Sequence, residues 1–146
     1  MLSELLHSFG DGLCHQIPDR TLTAMGMYYP VCSRCTGIYL GFVVALAVLF
    51  LLYRTNQRKG PFGWQFYLLA AVASFGMLFD VSSAYLGFRD TTNLIRLTTG
   101  VLFGSSLAAV AYLMLVDSLA AHASRDRVLG DWRSVGWWLA GAAATV

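Results

Sequence analysis

Three cysteines and a histidine stand in a short stretch that leads into an apolar run. Cys14 and His15 come first, followed by Gln16 and Arg20. The run Pro30-Val31-Cys32-Ser33-Arg34-Cys35-Thr36-Gly37-Ile38-Tyr39 comes next. These are all the cysteines of the chain. Cys32 and Cys35 form a C-x-x-C pair where the pattern predicts a helix to start. That spacing serves two chemistries. It is half of a tetrahedral zinc site, with thiolates about 2.3 Å from the metal. It is also a dithiol–disulfide centre, in which a helix N-terminus lowers the thiol pKa. Arg34 adds positive charge near both sulfurs and serves either use.

Cys14, Cys32, Cys35 and His15 together make a Cys₃His set, which suits zinc. Adjacent Cys14 and His15 would point apart in an extended strand and converge only in a turn. A second version leaves the metal with three sulfurs and one open position. His15 then acts as general acid or base beside a metal-bound water. In the redox alternative Cys32 and Cys35 are the active pair and Cys14 is a resolving thiol, with a quinone as the natural electron partner. In the plainest alternative the cysteines are structural and hold no cofactor. Tyr39 shares a helical face with Cys32 and Cys35 by i, i+3, i+7 spacing. It either donates a hydrogen bond to a buried group or anchors the helix at the interface.

The elements that position these residues are membrane helices. Of the 146 residues 57% are hydrophobic and only 12% charged, with a mean hydropathy of +0.59. A soluble domain of this length needs more charged surface. A span needs about 20 mostly apolar residues. Three stretches qualify, at about 35–53, 64–88 and 94–119. A fourth, 137–146, is too short to cross alone. The expected fold is all-α: one polytopic helical bundle over 1–146, with residues 1–31 as an N-terminal Cys/His segment. Leu2, Leu5, Leu6, Phe9 and Leu13 follow helical spacing, so a short amphipathic helix is expected there, either on the membrane surface or packed on the following loop. The stretch lacks the basic start and apolar core of a secretory signal.

Basic residues favour the cytoplasmic side. Arg54, Arg58 and Lys59 follow the first span, and Arg125, Arg127 and Arg133 follow the third. The N-terminus is therefore expected outside, in what reads as a prokaryotic cytoplasmic membrane. The formal charge of +2 and the absence of a basic patch beyond these anchors argue against a nucleic-acid partner. No phosphate-cradling glycine loop, nucleophile elbow or H-E-x-x-H run occurs.

The spans alternate in direction. The start of the first, the end of the second and the start of the third therefore share one membrane side, together with Cys14 and His15. Asp80, Asn93 and Arg96 fall there. A charge inside the bilayer is costly, so it is expected to be functional or paired. Asp80 and Arg96 are the expected partners. Gly37, Gly41 and Ala45 in the first span, and Gly100, Gly104 and Ala108 in the third, form small-x-x-x-small seams that let helices approach. In the second span Ala73, Gly76, Asp80 and Ser83 share a face.

At these residues the chain resembles a family of small predicted membrane proteins of unknown function. The family's hallmarks are C-H-Q followed by an Arg, then C-x-R-C-T-G-I-Y-x-G, met here by Cys14, His15, Gln16, Arg20, Cys32, Arg34, Cys35, Thr36, Gly37, Ile38, Tyr39 and Gly41. A later T-N-x-x-R-x-x-T-G pattern is similar through Thr92, Asn93, Arg96, Thr99 and Gly100. The resemblance implies a multi-span membrane fold and supplies no substrate. The expected function is an integral membrane protein with a zinc site at the outer interface. Asp80, Asn93 and Arg96 line a pocket beneath the metal, and a lipid-like substrate would be natural. The rivals are a thiol oxidoreductase and a non-enzymatic metal-binding, transport or assembly subunit.

Overall fold

The computed structural model describes residues 4, 8, 10, 12, 14, 20–24, 26–53, 58–88, 91–119 and 124–146. Three long helices dominate: α1 (Ser33–Leu52), α2 (Trp64–Tyr85) and α3 (Asn93–Leu119). Their lengths of 20, 22 and 27 residues correspond to roughly 30, 33 and 40 Å at the α-helical rise. Each is long and apolar enough to cross a bilayer. The predicted spans thus match observed helices, with ends shifted by up to three residues.

α1 and α3 meet backbone to backbone along the two glycine seams. A Cβ on Gly37 or Gly41 would collide with the backbone of Leu97 or Val101, and one on Gly100 or Gly104 with that of Arg34 or Ile38. The seams interlock, each glycine opening a hollow for the partner's carbonyl. Ser105 Oγ reinforces the contact by donating to the Gly41 carbonyl at 3.4 Å. α2 joins this pair more loosely. It buries Gln65, Phe66, Ala73, Asp80 and Ser83 on one side and exposes Tyr67, Val72, Phe75 and Phe79 on the other. That exposed side suits lipid, which is as apolar as the side chains it meets.

The apolar core fills the half of the bundle away from the cysteines. Leu49, Tyr53, Phe66, Tyr112, Val116 and Trp138 lie at its centre. A fourth helix, α4 (Trp132–Ala143), closes it with Val135, Trp138 and Ala142 buried. The sequence places this segment at 137–146; the helix starts earlier, near Asp131, because Arg133 sits on its exposed side and does not interrupt the apolar stripe. At 12 residues it extends only about 18 Å and cannot cross alone. It leans on the middle of α1, where a Cβ on Gly141 would meet the Val48 side chain.

Short strands, not foreseen from the apolar pattern, join the helices. β1 (Thr23–Ala24) and β2 (Met27–Tyr28) form an antiparallel hairpin, turning at Gly26 with φ +78°. β3 (Arg58–Phe62), which precedes α2, pairs in parallel with β4 (Ser124–Val128), which follows α3. This pairing satisfies backbone groups that would otherwise be unpaired at the membrane edge. Two further bonds tie it to the bundle: the Gly63 N–H donates to the Val128 carbonyl at 3.1 Å, and the Leu129 N–H to Tyr53 Oη at 2.8 Å.

Of the expected N-terminal amphipathic helix, Glu4, Ser8, Gly10 and Gly12 are described; the first three are helical, Gly12 lies in a turn, and Ser8 Oγ donates to the Glu4 carbonyl at 3.0 Å. The apolar positions of that helix lie outside the described residues.

Candidate metal centre

Cys14 ends the N-terminal helical stretch, its N–H donating to the Gly10 carbonyl at 2.8 Å. Cys32 is the N-cap of α1, with extended backbone (φ −65°, ψ 159°), and Cys35 sits in the first turn. The segment between them folds back through the β1–β2 hairpin, where the Tyr29 N–H donates to the Leu22 carbonyl at 2.9 Å. Ser33 Oγ then donates to the Arg20 carbonyl at 3.0 Å and fastens the returning chain to the helix start. Ser33 is fully buried. Sequence reasoning treats it as a spacer between the cysteines; its hydrogen bond is a tether that the C-x-x-C pattern does not reveal.

The three sulfurs lie within 4.8 Å of one another, and no disulfide links the three cysteines. A disulfide would need about 2.05 Å. Tetrahedral zinc with bonds of about 2.3 Å places its sulfur ligands about 3.8 Å apart, so a small inward movement suffices for shared ligation. The Cys32 N–H also donates to Cys14 Sγ at 3.4 Å. A backbone donor at a helix N-terminus complements an anionic sulfur. The cysteines are half-buried, neither sealed in the core nor open to solvent. His15 and Gln16 lie outside the described residues.

Beneath the sulfurs is a charged layer. Asp80 is 4% exposed and makes an ion pair with Arg34 Nη2. This corrects the expected Asp80–Arg96 pair. Arg96, 7% exposed, instead donates from Nε to Thr91 Oγ1 at 2.8 Å. The reason lies in the seams: Gly100 seats against the Arg34 carbonyl. That contact brings the first turn of α1 into the layer shared by α2 and α3, and supplies a second cation at the depth of Asp80. Arg96 still feels Arg20, Arg34, Asp80 and Cys32 electrostatically, so the convergence expected from the alternating spans is present. Helical spacing fixes a residue's face and depth but not which of two neighbouring cations it meets.

Among the described residues, three polar atoms of this layer are buried without a hydrogen-bond partner: Arg34 Nε, Asp80 Oδ1 and Asn93 Oδ1. The Arg34–Asp80 pair therefore uses one prong of the guanidinium fork and one carboxylate oxygen. Tyr39 does not join the layer. It is 46% exposed, as an interfacial anchor would be.

A family model described as "Predicted membrane protein (DUF2085)" matches residues 14–110. The chain belongs to this family. The match begins at Cys14 and takes in Cys32, Cys35, Asp80, Asn93 and Arg96, while α4 lies beyond it. Two archaeal relatives are similar, both described as uncharacterized. One, from Methanothermobacter thermautotrophicus, is 33% identical over 102 residues, covering 70% of this chain and 86% of the relative. The other, from Methanocaldococcus jannaschii, is 31% identical over 103 residues, covering 70% of this chain and 64% of the relative. No solved structure matches.

Proposed function

We propose that this integral membrane protein holds zinc on Cys14, Cys32 and Cys35 at the outer interface of a prokaryotic cytoplasmic membrane, with its N-terminus outside. The observation that carries the reading is the gathering of all three sulfurs within 4.8 Å. Charge supports it. A zinc ion with three thiolates is an anion, and Cys32 stands within electrostatic reach of Arg96. A buried guanidinium needs a counter-charge. Asp80 serves Arg34, and the thiolate centre offsets part of the charge of Arg96.

When bound, zinc supplies a Lewis acid at the membrane surface. His15 either completes the ligand set or moves a proton at the substrate. Asp80, Asn93 and Arg96 line the polar layer that a membrane-borne substrate would enter. In this reading the protein is a membrane-embedded metalloenzyme. One observation keeps a second reading: Cys32 and Cys35 are free thiols beside Cys14, which also suits thiol–disulfide exchange with a quinone.

Elemental analysis with thiol counting separates the two. The zinc reading expects stoichiometric zinc and thiols that react only after chelation. Metal-free protein with freely reactive or oxidised thiols would overturn it. Cys35→Ser should abolish zinc binding. His15→Ala should lower zinc sharply in a closed site, or keep the zinc and lower activity by roughly 10²–10⁴-fold if His15 moves a proton.

A further inference from the structure

We propose that the polar layer beneath the cysteines is a headgroup site for a phospholipid bearing free hydroxyls, of the phosphoglycerol type. The phosphate meets Arg96, and the hydroxyls meet Asp80 and Asn93. The inference goes beyond the zinc reading and does not require it.

Arg20 and Arg34 lie within electrostatic reach of Arg96, and among the described residues Asp80 is the carboxylate that acts on it. Asp80 is committed to Arg34. Arg96 engages only its Nε, to Thr91, leaving its terminal nitrogens without a partner among the described residues. Arg96 is also more than nine-tenths buried. Such a cation is expensive in a membrane helix unless something anionic meets it. Among the described residues, Asp80 and a thiolate centre carrying one net negative charge together leave one of the three arginines in excess.

Asp80 Oδ1 and Asn93 Oδ1 are buried acceptors without donors, and Arg34 Nε is a buried donor without an acceptor. Buried polar groups are nearly always satisfied. An anionic oxygen satisfies the guanidinium groups and leaves the acceptors empty. An alcohol satisfies the acceptors and leaves the charge. A phosphate ester with free hydroxyls satisfies both.

Arg34 is the second residue of α1 and Arg96 the fourth of α3. Both therefore sit at the edge of the hydrocarbon core, where lipid phosphates lie. Basic pockets between helices at this depth suit phosphate headgroups.

The test is lipid retention by native mass spectrometry, from mixed micelles holding equal phosphatidylglycerol, phosphatidylmethanol and phosphatidylcholine. Phosphatidylmethanol carries the same charge as phosphatidylglycerol without its hydroxyls. The expected order is phosphatidylglycerol over phosphatidylmethanol over phosphatidylcholine, with roughly tenfold between the first two for the added hydrogen bonds to charged groups. Arg96→Gln should bring both anionic lipids down to the phosphatidylcholine level, and Arg96→Lys should restore part of the preference. Asn93→Ala should shrink the gap between the two anionic lipids. Arg127→Gln, at the opposite end, should change nothing, and circular dichroism of each variant checks the fold. Equal retention of all three lipids by the wild type overturns the proposal. So does equal retention of the two anionic lipids, which would mean a basic collar only. Displacement of phosphatidylglycerol by equimolar glycerol 3-phosphate would assign the site to a free phosphate ester and overturn the lipid assignment. Zinc measured in the same samples keeps the two readings separate: zinc without lipid preference sinks only this inference, and lipid preference without zinc sinks only the metal centre.

Discussion

Replacing Asp80 by Asn removes one charge and almost no volume. Asp80 is 4% exposed and the Arg34 side chain 20%, so the substitution leaves a largely buried guanidinium without its carboxylate. Removing one partner of a buried ion pair costs about 3–5 kcal/mol. The partial exposure of Arg34 and its single-pronged contact point to the lower end, about 3 kcal/mol. Arg34→Gln should cost a similar amount. The double variant buries a neutral pair and should lose less than the sum of the two, by about 2 kcal/mol of coupling. The same cycle between Asp80 and Arg96 should give less than about 1 kcal/mol, because Arg96 bonds to Thr91 and meets Asp80 only through space. Reversible unfolding by steric trapping in bicelles measures all of these. Additive costs for Asp80 and Arg34 would refute the pair. Coupling to Arg96 stronger than to Arg34 would restore the partnership expected from sequence and overturn the observed geometry.

The glycine seam offers a matched contrast. Gly104→Ala drives a methyl into the Ile38 carbonyl and should destabilise by about 2–3 kcal/mol, as overpacking does, whereas Gly76→Ala meets nothing within 4 Å and should be neutral or gain up to about 1 kcal/mol. Ser33→Ala should lose about 1 kcal/mol in the same unfolding assay by freeing the Arg20 carbonyl, and should leave zinc content unchanged; loss of zinc would make Ser33 part of the metal site. Asn56→Cys in the Cys14→Ser, Cys32→Ser, Cys35→Ser background, probed in intact cells with a membrane-impermeant thiol reagent, should stay unlabelled if the N-terminus is outside; strong labelling reverses the topology.

The spans were legible because each is an apolar run of the length a bilayer requires, and a single residue type cannot shift such a boundary far. The approach of Cys14 to Cys32 and Cys35 was legible for a similar reason: alternating helices leave only one end for them. Other features depend on tertiary choices that periodicity does not encode. Asp80 had two cations at its depth, and only the interlocking of Gly37 and Gly100 with the facing backbones decides between them. The β3–β4 pair joins segments on either side of two spans, and its residues, Arg58–Phe62 and Ser124–Val128, read locally as basic loops. The Ser33 tether was hidden because its acceptor is a backbone carbonyl, which no side-chain pattern marks. α4 began earlier than its apolar run because a helix keeps a charged residue when that residue faces outward.

X-ray absorption at the zinc edge of protein purified without chelators tests the metal centre most directly. The expected result is bound zinc with three sulfur neighbours at about 2.3 Å, lost in the Cys14→Ser, Cys32→Ser, Cys35→Ser triple variant. Zinc surrounded only by nitrogen and oxygen, or undiminished zinc in the triple variant, would contradict it.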